Sequence, residues 1–320
     1  MPKVLISIII PLHNEEKNIP ILYKKLKGVT DKLGYNVEII IVDDGSVDDS
    51  FKALKKIQEK DARLEIVQFT RNFGKEMATT AGIHYANGDA CIIIDADLQH
   101  PPELIPEFIR KWEGGAEVVI GIRKSVSDSF SKKVCSYLYY KTINRISDTK
   151  LYPNGTDFQL LDRIVIDEFN KLTENRRITR GLINWLGFRK DFIYFDAPER
   201  AWGKSGYGFF KRVRLASHSI VNLSLFPLRL AGYLGIFITL SSAVTALFVV
   251  IEKYVMKDPW GLNITGVAIL VFVNLVLVGI ILICLGLIAL YIANIHNETL
   301  GRPLYVIRRM EAIETKETKR

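Results

Sequence analysis

Two carboxylates one residue apart, Asp95 and Asp97, follow directly on the apolar run Cys91 to Ile94, and Gln99, His100, Pro101 and Pro102 come after them. A short β-branched run that stops abruptly at polar residues and prolines reads as a buried strand ending in a loop. The carboxylates then stand at a strand's carboxyl end, the edge of an open α/β sheet where ligands bind. Two acidic oxygens and the Gln99 amide oxygen are hard ligands. They suit Mg²⁺ or Mn²⁺, ions that complete their shells with water and substrate phosphates. This stretch points to a metal-held diphosphate, although one Asp-x-Asp alone is also what an acidic turn looks like.

The elements that must position these groups follow from the pattern on either side. Val4 to Leu12 is a β-branched strand whose loop carries His13, Asn14 and Glu15, and a helix follows over 19–33. Val37 to Val42 is a strand stopping at Asp43, Asp44 and Gly45; Asp48 or Asp49 caps the next helix, which runs to about Lys60. Leu64 to Phe69 is a third strand, followed by Arg71 to Lys75 and a helix from Met77 to Ala86. Beyond the Asp-x-Asp strand come a helix over 102–112, a strand over 117–122 ending at Arg123, and a basic Tyr-rich helix over 129–146. Asp157 then sits at a turn before an apolar stretch, 179–185 is helical, and a short strand over 192–195 leads to Glu199 and Arg200. Strands alternating with helices predict an α/β fold with a mostly parallel sheet covered on both faces. Every strand end then adds polar groups to one edge: Glu15, Asp43 and Asp44, Arg71 and Lys75, Asp95, Asp97 and Gln99, Arg123. Several such ends on one edge describe a nucleotide pocket.

The chain resembles the membrane-anchored polyisoprenyl-phosphate glycosyltransferases of the GT-A, family-2 type, which include dolichol-phosphate mannose synthases and bactoprenol glucosyltransferases. The motifs that carry the resemblance run from end to end: Ile10 to Glu15, Val42 to Ser46, Arg71 to Lys75, Asp95 to Pro102, Gly121 to Arg123, Gly155 to Phe158, and Glu199 with Arg200. Singly they are weak; in this order they are specific. The resemblance implies a GT-A (Rossmann-like) domain in which Pro11, Glu15, Asp43, Asp44, Lys75 and Asp95 bind the donor nucleotide sugar. It implies that Asp95, Asp97 and Gln99 engage a metal-diphosphate, that Arg200 neutralises the leaving diphosphate, and that Arg123, Lys132 and Ser136 grip the acceptor phosphate. Relatives often have Ser-Lys-Tyr where this chain has Ser205, Gly206 and Tyr207; Lys204 is the neighbouring cation.

Composition adds the compartment. Of 320 residues 48% are hydrophobic, and the excess lies in Leu230 to Ile251 and Gly266 to Ala293, which contain no Lys, Arg, Asp or Glu. Each run reaches the roughly 20 residues that cross a bilayer. The net charge of +8 clusters beside these runs, at Lys204, Lys211, Arg212, Arg214 and Arg229 before them and Arg302, Arg308 and Arg309 after them. That placement argues for membrane and against nucleic acid, and it puts both termini in the cytoplasm. The expected organisation is a cytoplasmic GT-A domain (1–208), an amphipathic interface helix (209–228), transmembrane helices over 229–252 and 265–294 joined by a short external loop (253–264), and a cytoplasmic tail (295–320), its charged end disordered. A bacterial inner membrane fits this layout. Asn274 is read as a hydrogen bond between the two spans, and His13 and His100 as solvated loop residues. The three cysteines, Cys91, Cys135 and Cys284, show neither pairing nor metal spacing and read as packed thiols of a reducing compartment.

The inventory holds no catalytic histidine or nucleophile, and the chemistry expected needs none. A lipid phosphate is already an anionic nucleophile near neutral pH. Its in-line attack at the anomeric carbon inverts configuration, with Asp97, Asp157 and Arg200 as the catalytic candidates and Asp157 orienting acceptor or sugar hydroxyls. The resemblance of the two-span architecture to bactoprenol glucosyltransferases implies UDP-glucose as the donor. GDP-mannose and UDP-activated amino sugars suit the same pocket, and a non-catalytic nucleotide-sugar-binding scaffold is the rival of another class. Oligomeric state stays open, a homo-oligomer included.

Overall fold

The computed structural model describes residues 4–124, 152–174, 177–196 and 266–311, with a few helical positions between 233 and 244. Arg200, Lys132, Ser136, the interface helix over 209–228 and the external loop over 253–264 lie outside the described residues. Eight strands form one mixed sheet in the order β7-β5-β6-β4-β1-β2-β3-β8. They are β1 (Leu5–Leu12), β2 (Asn36–Asp43), β3 (Leu64–Phe69), β4 (Ala90–Ile93), β5 (Val118–Arg123), β6 (Gly155–Asp162), β7 (Lys190–Phe195) and β8 (Ile307–Glu311). The helices are α1 (Ile19–Thr30), α2 (Ser50–Gln58), α3 (Lys75–Tyr85), α4 (Ile105–Glu113, after a 3₁₀ turn), α5 (Arg163–Asn170), α6 (Thr179–Trp185) and α7 (Gly266–Thr299). Two compact units result: one carries the sheet with α1 to α6, the other carries α7.

The central strands are continuous apolar runs because both their faces are covered. On β1, Ile6, Ile8 and Ile10 pack into a core with α1, α2 and α4, while Ile9 turns to a second core with α3, α5 and α6. Strands β3, β2, β1 and β4 are mutually parallel, so their carboxyl ends share an edge. β6 is the exception to the parallel expectation. The stretch at Asp157, read from sequence as a turn before an apolar segment, is itself a strand, antiparallel to both β4 and β5. The reversal brings its first residues, Gly155 to Asp157, to the edge where β4 and β5 end.

Strand β8 is the other departure. The tail expected after the apolar runs returns instead to the sheet, where Ile307–Glu311 pairs antiparallel with β3 and covers its open edge. The preceding helix α7 is 34 residues long, about 50 Å at the α-helical rise. Its consecutive Ile281, Leu282 and Ile283 are each more than half exposed, so it is apolar around its whole circumference. Among the residues whose side chains are described, no helix has an unbroken apolar stretch long enough to cross a membrane. Asn274 donates to the Leu270 carbonyl at 3.0 Å within its own helix, and most of the other apolar run, its expected partner, lies outside the described residues.

Candidate active site

A cleft of about 300 Å³ opens at the carboxyl ends of β1, β2 and β4. β1 contributes Pro11, Leu12, His13 and Glu15 to its wall; β2 contributes Asp44; the loop into α3 contributes Asn72, Gly74 and Lys75; the end of β4 contributes Asp95, Ala96 and Asp97.

The β2 end shows how the sheet presents charge. Asp44 is almost fully buried, and its two oxygens accept from the successive amides of Phe73, at 2.6 Å, and Gly74, at 2.9 Å. Burial pushes its carboxyl above the ordinary range, and the two amides pull it back part of the way. Asp43 is wholly buried behind it, bracing the turn by accepting from the Ser46 amide at 2.9 Å and from Gln68 at 3.3 Å. Gly45, between this pair and the helix, has φ +63, and a Cβ there would meet the Arg71 backbone at 2.3 Å. His13 bridges the β1 and β2 loops: Nδ1 is 2.9 Å from the Asp44 carbonyl and Nε2 3.1 Å from the Asn14 amide nitrogen. A neutral ring that donates from Nδ1 and accepts at Nε2 satisfies both contacts. Glu15 accepts from the Asn18 side chain at 2.6 Å.

At β4 the two acidic residues take different surroundings. Lys75 Nζ lies 2.6 Å from Asp95 Oδ1 and also 2.6 Å from Asp157 Oδ2. The Arg180 guanidinium reaches the other Asp157 oxygen at 2.8 Å. Burial works against charge at Asp157, but Lys75 and then Arg180 outweigh it and hold the carboxyl below its usual range; the two carboxylates raise Lys75 in return. Asp157 is therefore an anion between two cations. Asp97 turns the other way and accepts from the Gln99 amide at 3.1 Å, closing a tight turn in which Leu98 is held at φ 65. A leucine in that region is strained, and strain of this kind gathers at functional sites. Gln99 Oε1 accepts from Arg123 at 3.0 Å, so the amide expected to face a metal and the arginine expected to hold the acceptor are partners here.

His100 corrects the expectation of a solvated loop residue. It is 1% exposed, its ring stacks on Phe158 at 5.2 Å, and its Nδ1 accepts from the Asp95 amide at 3.0 Å. Burial holds the imidazole neutral, which keeps Nδ1 an acceptor. Arg180 gave no signal in the sequence, since only the reversal of β6 brings α6 beside Asp157. Cys91 is fully buried within β4, and burial pushes its thiol up to about 12, so it packs and does not react.

The donor set fits a hard divalent cation. Asp95 Oδ1 is buried with no hydrogen bond, while Lys75 Nζ donates to Asp95 Oδ2 at 2.7 Å and lies 2.6 Å from Oδ1 as an ion pair. Among the described residues no three His, Cys, Asp or Glu side chains converge to form a metal cage. Two carboxylates suffice for Mg²⁺ or Mn²⁺ when phosphates and water complete the shell.

The description "Glycosyl transferase family 2" matches residues 7–169, which span β1 to most of α5. The chain belongs to glycosyl transferase family 2. It is 38% identical over 97% of its length, and 95% of the other's, to an uncharacterized glycosyltransferase, YkcC, of Bacillus subtilis (strain 168). It is 35% identical, over 95% of its length and 97% of the other's, to a prophage-derived bactoprenol glucosyl transferase of Shigella flexneri. A solved glucosyl-3-phosphoglycerate synthase from Mycobacterium tuberculosis, in complex with Mn²⁺ and UDP-glucose, matches at a TM-score of 0.44 and 16% identity over 69% of this chain and 78% of that one, too distant to carry an argument. The family-2 chain thus resembles the polyisoprenyl-phosphate glycosyltransferases along nearly its whole length, as its motifs imply.

Proposed function

We propose that this family-2 enzyme transfers a single glucose, with inversion, from UDP-glucose to a polyisoprenyl phosphate such as undecaprenyl phosphate, giving a lipid-linked monosaccharide. The observation that carries the proposal is the cleft in which Asp44, Lys75, Asp95 and Asp97 meet at the carboxyl edge of the sheet. The near full-length likeness to bactoprenol glucosyl transferases supports the acceptor class and the sugar.

The acceptor phosphate carries its negative charge before it arrives, so no residue need take a proton from it. That suits Asp157, which is tied to Lys75 and Arg180 and is not available as a base. One acceptor oxygen attacks the anomeric carbon while the bond to the nucleoside diphosphate breaks, the electron pair leaving with the diphosphate. Asp95 and Asp97, with Gln99, would hold Mg²⁺ or Mn²⁺, which supplies positive charge to the leaving diphosphate. Lys75 adds a fixed cation between Asp95 and Asp157, and Arg200 is proposed to reach the diphosphate from the segment after β7. Charge placed beforehand where charge develops is often the largest catalytic contribution. Arg123, held by Gln99, with Lys132 and Ser136, is proposed to receive the acceptor phosphate.

The enzyme is proposed to sit in a bacterial inner membrane with its sheet domain on the cytoplasmic side. The all-round apolar surface of α7 supports one crossing, and the apolar run Leu230 to Ile251 supplies the other. Holding the domain at the headgroup level raises its effective concentration near a lipid phosphate. Purified enzyme incubated with radiolabelled UDP-glucose or GDP-mannose, polyisoprenyl phosphate and Mg²⁺ tests the proposal. Label from UDP-glucose should enter the organic phase and EDTA should stop it. Label entering only from GDP-mannose would overturn the sugar, and unchanged turnover in EDTA would overturn the metal.

A further inference from the structure

We infer that Tyr305, on the segment returning from α7, is a positioning residue for the donor cleft. The inference rests on the cleft being the nucleoside-diphosphate site proposed above, and it starts from an aromatic chain that no step of the transfer uses. Tyr305 stacks on Phe69, the last residue of β3, with ring centroids 4.9 Å apart and planes 10° from parallel. Phe69 meets Phe73 edge-on at 5.7 Å, and the Arg71 guanidinium lies over the Phe73 ring at 4.0 Å. Phe73 and Gly74 are the residues whose amides grip Asp44, and Asn72, Gly74 and Lys75 line the cleft. Two ring contacts, Tyr305 on Phe69 and Phe69 on Phe73, therefore link the carboxy-terminal segment to the donor wall.

The backbone reinforces the path. The Thr70 amide donates to the Val306 carbonyl at 3.0 Å, and Arg308 donates to the Thr70 carbonyl at 3.1 Å, so both polar groups of the first residue after β3 are held by the returning segment. The ladder between β3 and β8 shifts register between Gln68 and Phe69, the residue whose ring Tyr305 stacks on. A bulge at a strand end next to a ligand cleft re-aims the residues that follow it. Here those residues are the 70–74 loop. Without Tyr305 and its neighbours, β3 would be an open edge and the loop would keep Phe69 and its two bonds to Asp44 but lose the returning segment's support. The segment that fixes the loop follows α7 in the chain after only residues 300–304, so the apolar helix and the donor wall are joined by a short covalent tether.

The test uses the full-length protein in detergent and compares Tyr305→Ala, Tyr305→Phe and Leu26→Ala. The last removes a buried side chain from α1, away from the cleft, and controls for general loss of stability. Binding of UDP and of GDP, each with Mn²⁺, is measured by calorimetry, and amide hydrogen exchange is followed at residues 70–75. Tyr305→Ala should weaken nucleotide binding about tenfold and speed exchange at Phe73 and Gly74, with the acceptor KM unchanged. Tyr305→Phe keeps the ring and should behave as wild type on all three measures. Wild-type affinity together with unchanged exchange in Tyr305→Ala overturns the inference, as does the same pair of changes in Leu26→Ala. If wild type binds neither nucleotide, the proposed function fails, and the exchange of Phe73 and Gly74 still decides whether Tyr305 positions the loop.

Discussion

At the scale of single residues, the arrangement separates two carboxylates that sequence alone would treat alike. Asp97 accepts from the Gln99 amide at 3.1 Å, and it stands in the loop after a strand and not inside the core. Asp97→Ala should abolish transfer and metal-dependent nucleotide binding while leaving the denaturation midpoint within experimental scatter; a variant that binds nucleotide normally with Mn²⁺ would remove Asp97 from the site. Asp157 is different, since Lys75 and Arg180 each pair with one of its oxygens. Asp157→Asn keeps the shape and releases both cations, so it should retain nucleotide binding and slow transfer on the order of ten- to a hundredfold, the worth of about 1.5–3 kcal/mol for a charge-assisted contact. A fall in nucleotide affinity as large as the fall in rate would place Asp157 in the donor pocket instead. The identities of these carboxylates are legible in the sequence because Asp97 follows an apolar run and Asp157 precedes one. Their partners are not: Arg180 lies 23 positions from Asp157, and only the antiparallel course of β6 joins them. His100 was misread for a related reason, because a histidine before two prolines looks exposed until Phe158 is known to cover it.

At the scale of elements, the parallel strands were legible because the runs at β1 to β4 are too apolar to have a wet face, and β8 was not because Ile307 to Glu311 alternates charge in a basic tail. What the pattern could not supply was strand order, since register depends on contacts distant in sequence. Two elements make their own predictions. The turn after β2 depends on Gly45, whose φ of +63 no β-carbon tolerates against the Arg71 backbone at 2.3 Å. Gly45→Ala should cost at least ~2 kcal/mol by denaturant titration and should also lower nucleotide affinity, because Asp44 and the 70–74 loop must move. Farther from the cleft, Asp61 joins α1 to the start of β3: its carboxylate accepts from Arg63 at 2.7 Å and from the Tyr23 hydroxyl at 2.7 Å. The Arg63 guanidinium, opposed by burial, holds the Asp61 carboxyl well below its ordinary range. A depressed carboxylate contributes stability that is present above its unfolded pKa, about 4, and is lost as pH falls through its folded value. Asp61→Asn should therefore cost about 1–3 kcal/mol at neutral pH, and the gap to wild type should shrink steadily below pH ~4; a gap independent of pH would mean that packing and not charge makes the difference.

At the scale of the whole molecule, the return of the chain to its own sheet restricts how it can meet a bilayer. The strands before α7 and the strand after it build one sheet, because β8 pairs with β3. A chain that leaves a domain on one side of a membrane and rejoins it must cross an even number of times. A single crossing by α7 is excluded, so if α7 spans, another segment between residues 206 and 266 spans as well, and Leu230 to Ile251 is the run there without a Lys, Arg, Asp or Glu. The prediction is a pair of crossings with the 253–264 stretch outside and the sheet domain inside. It can be checked with a membrane-impermeant maleimide on cells carrying Asn263→Cys or Lys24→Cys, each compared with unsubstituted protein; Lys24 is exposed on α1. Asn263→Cys should label in intact cells, and Lys24→Cys only after permeabilisation. Labelling of Lys24→Cys in intact cells would invert the topology. If both positions react only after permeabilisation, the apolar runs do not cross, and the all-round apolar surface of α7 must be covered by protein.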